Sequence, residues 1–414
     1  MQTPARQKCS NALPPHEYKL HNQVCSTPSV KLISNLFSNY DPTPLEVSSD
    51  RLKILLRKVN SILVIEKQHT SEIIFKLYSS KPINPKTLRE LKYLSIITSI
   101  LSKIDKNTVR IHRHCHEGSN YLTWFLTTVA SPFSLAISYF TVVALLVLTQ
   151  CFIGPIDITY IPLLVIVTAF TMWFVMLLAM RFTLSKYVIE NIVVSGTELP
   201  LKSIIYPIAR KLGMGREVVV SVLPTGRVLA IVIPLPKPML VLSHGLLSML
   251  SIDELEAVLA HELSHVRGLD FVHVWLFAVA EYLLRLLVIT HLFYRSPIEF
   301  LLTILIYLVA VIYVFAIFSR FLEIRADIRS LEVINPLALA SALVKVCSHD
   351  VASVLSREVH SRKIPLLRSS LLSMHPHVLL RVKYLVKFYL EPRLRVSCFR
   401  RVLTIVLIAL GLWR

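Results

Sequence analysis

The chain has 414 residues, of which 54% are hydrophobic and only 17% charged; its mean hydropathy is +0.60. It is too apolar for an ordinary soluble protein of this size, which points to a membrane protein. Six scattered cysteines without a CxxC pair argue against a disulfide framework or a zinc knuckle and fit a reducing compartment, while the net charge of +19 suits large cytoplasmic segments, anionic lipid or nucleic acid alike.

No apolar core follows a basic start in the first thirty residues, so no cleavable signal peptide is expected, and 1–48, rich in Pro, Ser and Asn, reads as an unstructured tail. Residues 49–120 read as a basic helical cytoplasmic region. Asp50–Val59 and Asn84–Leu94 carry helical patterns, the second with Asn84 at the N-cap and Pro85 at the first helical position. Four apolar stretches follow, Phe133–Ile153, Tyr160–Met180, Phe271–Phe293 and Phe300–Phe318, each close to the ~20 residues that a bilayer core requires. They predict two transmembrane hairpins, within 121–181 and 271–318. The turn at 154–159 holds no Lys or Arg and the second turn only Arg295, so 1–120, 182–270 and 319–401 are expected on the cytoplasmic side. The apolar tail 402–414 is too short to span.

Within 182–270, β-branched runs at Glu217–Leu223, Arg227–Ile233 and Met239–Ser243 predict a small sheet. Ser251-Ile-Asp-Glu254 is a capping box that opens an amphipathic helix running to about Arg267, where Gly268 can end it.

That helix contains His261-Glu-Leu-Ser-His265. Histidines four residues apart share one helix face and can reach one metal ion. Glu262, beside the first histidine, can act as base toward a water that the ion activates without itself ligating the metal. By itself HExxH also arises by chance on surface helices. Catalytic zinc takes three protein ligands and keeps a fourth position open, and Glu323-Ile-Arg-Ala-Asp327 offers a carboxylate for the metal and another for hydrogen bonding a ligand histidine. A transmembrane hairpin between the two motifs returns the chain to the same membrane face, so both halves can meet there. Apart from the histidine motif, Glu323 and Asp327 would read as a solvated or arginine-paired face beside Arg320, Arg325 and Arg329.

Four segments together resemble the integral-membrane zinc peptidases that include the HtpX proteases and the zinc-type CAAX prenyl proteases: Gly245-Leu-Leu, Asp253 to Asp270, Ser319 to Asp327 and His375-Pro-His-Val-Leu-Leu-Arg381. The resemblance covers about 200–390. It implies one zinc per chain on His261, His265 and Glu323, and places His375 and Arg381 near the metal, where they can stabilise the oxyanion or orient substrate. It also implies an edge strand that pairs with an extended substrate, here Leu229-Ala230-Ile231-Val232, where leucine stands in place of the family's usual asparagine. Main-chain pairing survives that change; a side-chain hydrogen bond does not.

Three further signals carry less. His112-Arg-His-Cys-His-Glu117 fits the lipid headgroup zone better than a metal cluster, Glu281 and Arg285 fit an ion pair between helices, and helix-terminal capping accounts for Asp270 as well as any functional role does. The expected fold is an α+β, mainly helical membrane protein with about four transmembrane helices and a gluzincin-type cytoplasmic zinc-protease domain carrying a small sheet. The expected activity is endopeptidase cleavage of membrane or membrane-proximal proteins, in membrane-protein quality control, at a multi-pass location in the cell membrane. Polypeptide substrates and the lipid bilayer are the expected partners, with no nucleic acid. A zinc-binding but non-catalytic receptor or scaffold is the alternative, against which an intact Glu262 argues.

Overall fold

The computed structural model describes residues 16–24, 30–48, 51–67, 72–79, 81–102, 161–189, 191–194, 197–215, 217–234, 237–292, 296–347, 375–391 and 406. The stretch Phe133–Ile153, the cluster at 112–117, the turn at 154–159 and all but one residue of the tail 402–414 lie outside them.

The amino-terminal part departs from the sequence reading. Within the expected tail and the expected helical region, β1 (His16–Val24), β2 (Pro42–Val47), β3 (Arg51–Leu56), β4 (Ser61–Lys67) and β5 (Glu72–Ser79) form an antiparallel sheet in the order β1-β5-β4-β3-β2. The run expected as a helix from Asp50 is β3, because Leu52, Ile54 and Leu56 are buried at every second position. They join Leu63, Ile65, Phe75 and Leu77 in a core closed by Ile33 of α1 (Val30–Leu36), Phe37 just after it, and Leu91 of α2 (Pro85–Leu101). Helix α2 starts as expected, with the Asn84 side chain accepting from the Lys86 N–H and Pro85 beginning the first turn. Pro42 and Pro44 lie on β2, an edge strand, where a missing donor costs least.

Helix α3 (Ile161–Ser185) leads to the hairpin of β6 (Asn191–Val194) and β7 (Thr197–Pro200), then α4 (Leu201–Lys211). The predicted small sheet is present as β8 (Val219–Leu223), β9 (Ala230–Ile233) and β10 (Met239–Ser243). Its order is β8-β10-β9, with β10 parallel to β8 and antiparallel to β9, so β9 is an edge. Strand β10 is buried along its whole length because both of its faces are covered. Leu240 and Leu242 pack against Ile204, Ile205 and Ile208 of α4, whereas Met239 and Val241 meet Leu177, Met180 and Leu184 of α3.

After β10 come α5 (His244–Met249), α6 (Ile252–Arg267), α7 (Asp270–Leu292), α8 (Pro297–Ser330), α9 (Pro336–Val346) and α10 (Val378–Leu390). Gly245, in the Gly-Leu-Leu motif, packs against the loop that enters β9: a Cβ there would stand 2.1 Å from the Gly226 carbonyl oxygen, so only glycine fits. Helices α8, α9 and α10 share a core with α2, in which Ile96, Ile97 and Ile100 meet Ile328, Leu343, Leu385 and Phe388.

Helices α7 and α8 project apolar side chains outward, among them Leu276, Leu283, Leu287, Leu302, Leu305, Ile306 and Val309. Among the described residues one segment, Leu302–Ser330, is long and apolar enough to cross a membrane, and only 6% of its most apolar window is buried. Glu281 of α7 accepts from Arg285 at 2.8 Å and from the Tyr307 hydroxyl of α8 at 2.9 Å, so the polar cluster inside this hairpin ties its two helices together.

Candidate metal centre

Helix α6 holds two of the expected ligands, and its own sequence fixes it. The capping box is complete: the Ser251 hydroxyl accepts from the Glu254 N–H, and the Ser251 N–H donates to the Glu254 carboxylate. Asp253 and Glu254 in the first turn and His265 and Arg267 in the last complement the helix dipole. Leu255, Leu259 and Leu263 are buried beneath β10 and α4, which turns His261 and His265 toward α8.

Glu254 also ties this helix to α9. Its carboxylate accepts from Lys345 Nζ at 2.6 Å and from the Ser341 hydroxyl. Burial opposes ionisation, but Lys345, the Ser251 N–H and Ser341 hold the carboxyl below its ordinary range. Glu254→Gln is therefore expected to cost about 3 kcal/mol, since it leaves a charge in a buried pair without its partner. Because the folded-state value is depressed, this stabilisation is present above the ordinary glutamate pKa of about 4.3 and lost as pH falls through the depressed one. Denaturant unfolding of wild type and variant across pH 3–7 measures both; identical pH profiles would show that the pair contributes nothing.

Glu323, on α8, completes the set. Nε2 of His261 and Nε2 of His265 are 3.2 Å apart; Glu323 Oε2 lies 3.5 Å from the first and Oε1 3.9 Å from the second. Ligand atoms placed 2.0–2.1 Å from a tetrahedral zinc ion stand about 3.3–3.4 Å from one another, so the spacing suits that ion. The chemistry of the donors agrees: two imidazoles and a carboxylate within 4.8 Å of one another leave a fourth position open.

Each histidine is oriented from behind by a carboxylate, and each carboxylate is held by an arginine. Nδ1 of His261 lies 2.9 Å from Oδ1 of Asp327. Asp327 in turn accepts from Arg381 through Nε at 2.8 Å and Nη2 at 2.6 Å, and from the Tyr384 hydroxyl. Nδ1 of His265 lies 2.7 Å from Oδ2 of Asp270, whose Oδ1 accepts from Arg325. With the imidazole protons on Nδ1, toward these carboxylates, both Nε2 lone pairs would face the common point. In the metal-free site burial disfavours the imidazolium of His261, yet Asp327 and Glu323 outweigh it and raise the group to about 10. Metal uptake must therefore displace a proton. Burial pushes the Glu262 carboxyl up, against the pull of His261 and His265.

The structure thus brings His261, Glu262, His265, Glu323 and Asp327 together, with Arg381 and His375 beside them. Arg381 is buried; its Nη1 is 3.4 Å from Glu323 Oε2. His375 is 70% exposed, with Nδ1 3.2 Å from Glu323 Oε1, and that carboxylate raises its pKa. Ala230, Ile231 and Val232 lie on β9, which packs beside α6, and Leu229 immediately precedes it.

Asp270, Arg325 and Tyr384 were not selected from sequence. The signal for Asp270 lay in the turn between α6 and α7, where Leu269 takes the left-handed conformation at φ 51°. A Cβ on the neighbouring Gly268 would stand 2.4 Å from Asp270 Oδ1 and 2.6 Å from Arg329 Nη1, so those side chains would have to shift.

Two histidines and a glutamate from a distant helix, with a glutamate next to the first histidine, form a group that could hold a metal ion. Residues 196–388 match the family described as Peptidase family M48. That segment is just under half of the chain, and its similarity to this peptidase family agrees with the resemblance that the four motifs carry. The crystal structure of S. mikatae Ste24p is similar at a TM-score of 0.45 and 18% identity, over 64% of this chain and 66% of that one, just under two thirds of its length. No curated protein matches in sequence.

Proposed function

We propose that this protein is a zinc-dependent endopeptidase that cleaves membrane or membrane-proximal proteins in quality control, with its catalytic domain on the cytoplasmic side of a membrane that it crosses several times. The observation that carries the reading is the convergence of His261, His265 and Glu323 at zinc-ligand spacing with Glu262 alongside. A bound zinc ion would supply Lewis-acid activation of water and of the scissile carbonyl.

The chain's own groups would do the rest. Glu262 takes a proton from the attacking water and returns it to the leaving amine. Asp327 and Asp270 hold the two imidazoles with Nδ1 protonated. Arg381 commits Nε and Nη2 to Asp327, so any stabilisation of a developing oxyanion falls to Nη1, and His375, being exposed, is placed to meet substrate. Of the expected strand Leu229, Ala230, Ile231 and Val232, Leu229 has its N–H and C=O engaged by Ser243, so an extended peptide would pair with the outer edge of β9 beyond it.

Apolar side chains that point outward along α3, α7 and α8 support the membrane setting. A direct test is purification of the full chain in detergent, zinc analysis, and cleavage of casein with and without chelator. One zinc per chain and chelator-sensitive cleavage are expected; a protein with neither would overturn the proposal. For topology, single cysteines in a cysteine-free background at 155–158 should react with an impermeant reagent from outside intact cells, whereas Tyr206→Cys, on α4, should stay unlabelled. Outside labelling at 206 would invert the arrangement.

A further inference from the structure

Tyr384 is one of the largest side chains that are fully buried, and it lies in the core that α2, α8, α9 and α10 share. Its ring meets Phe388 edge-on, with centroids 6.3 Å apart. A plain core aromatic would serve that packing equally well, and phenylalanine would avoid burying a hydroxyl. The hydroxyl is spent on one acceptor, Oδ2 of Asp327.

Asp327 is fully buried and acts as a junction. Oδ2 accepts from Arg381 Nε and from Tyr384, while Oδ1 accepts from Arg381 Nη2 and faces Nδ1 of His261. Arg381 alone would be an ambiguous holder. Its third nitrogen, Nη1, is 3.4 Å from Glu323 Oε2, so two carboxylates share one guanidinium. A second donor on Asp327, with no interest in Glu323, resolves the competition. It pins the carboxylate plane, so that Oδ1 stays on the imidazole and Nε2 stays aimed at the metal position.

We propose that Tyr384 is a positioning residue of the metal centre, acting through Asp327 to fix His261. The inference rests on the zinc reading above. It assigns to a hydroxyl within the shared core a share of the metal affinity rather than a share of the core's stability.

The test is a double-mutant cycle on zinc affinity, read by chelator competition with the full chain in detergent. Tyr384→Phe keeps the ring and its packing; Asp327→Asn keeps the volume of the junction. Supporting contacts of this kind are worth roughly 10–100-fold in metal affinity. Tyr384→Phe should weaken zinc about tenfold in the wild-type background and less than twofold when Asp327 is already Asn. The melting temperature of the metal-free protein reads the purely structural contribution and should change little in Tyr384→Phe. A lowered melting temperature with unchanged zinc affinity would overturn the proposal and make Tyr384 a core residue. So would an equal loss in both backgrounds, which would mean that the hydroxyl does not act through Asp327. Should Tyr384→Phe fail to accumulate as folded protein, Tyr384→Met, which also removes the donor while filling much of the ring's space, gives the same cycle. Absence of zinc from the wild-type chain is a separate outcome: it would overturn the metal reading itself, and this proposal with it.

Discussion

Glu262→Gln is expected to keep one zinc per chain and to lose about 10²–10⁴-fold in kcat, the usual worth of general-base catalysis. The amide fills the same space on α6 and leaves His261, His265 and Glu323 untouched, so metal analysis and thermal stability should match wild type. A glutamine cannot accept the proton that the attacking water sheds, nor deliver one to the leaving amine. Turnover of a peptide substrate and zinc content, measured on the same preparation, separate the two effects. Near wild-type cleavage would remove Glu262 from the mechanism while leaving the metal site intact.

Glu323→Ala is expected to abolish stoichiometric zinc, and with it all measurable cleavage. Two imidazoles remain, which is one ligand short of a catalytic zinc site. The loss also strips Arg381 Nη1 and His375 Nδ1 of the carboxylate that both face, so a guanidinium without that partner stands beside the position that a dication would occupy. Neither Glu254 nor Glu256, earlier on α6, can replace it. Glu254 is committed to Lys345 and Ser341 at the far end of the helix, and Glu256 precedes His261 by more than a turn. Glu256→Ala should accordingly retain zinc, and elemental analysis of the two variants decides the matter. Full zinc occupancy in Glu323→Ala would mean that another group is the third ligand.

Much of the centre was legible because its strongest determinants are local. The capping box, the four-residue histidine spacing and the pairing of Glu323 with Asp327 on one helix face all follow from a periodicity of 3.6. The topological argument that the hairpin returns the chain to its starting face picked the third ligand. Among the groups that hold the ligands, Asp327 was legible from its spacing to Glu323, whereas the others were not. Asp270 reaches His265 across a left-handed leucine, Arg325 reaches Asp270 from a helix 55 residues later in the chain, and Tyr384 reaches Asp327 from a helix 57 residues beyond it. Those contacts are products of tertiary packing. The amino-terminal sheet was missed for a different reason. Arg51 to Leu56 satisfies a helical pattern and an alternating one over so short a run, and only the neighbouring strands and α1 decide for the second.

Helix α2 lies well before residue 196, where the peptidase-family segment begins, yet its second half is built into the wall behind Tyr384 and Phe388. The packed unit therefore extends beyond the segment that matches the peptidase family. A fragment that begins at residue 196 would leave that side of α10 facing water in place of Ile96, Ile97 and Ile100. In the whole chain, local opening of α10, the helix that carries Arg381, has to break its seam with an element that holds no catalytic residue. The amide protection of α10 should accordingly rise and fall with that of α2, giving the amino-terminal sheet a lever on the metal centre through shared unfolding alone.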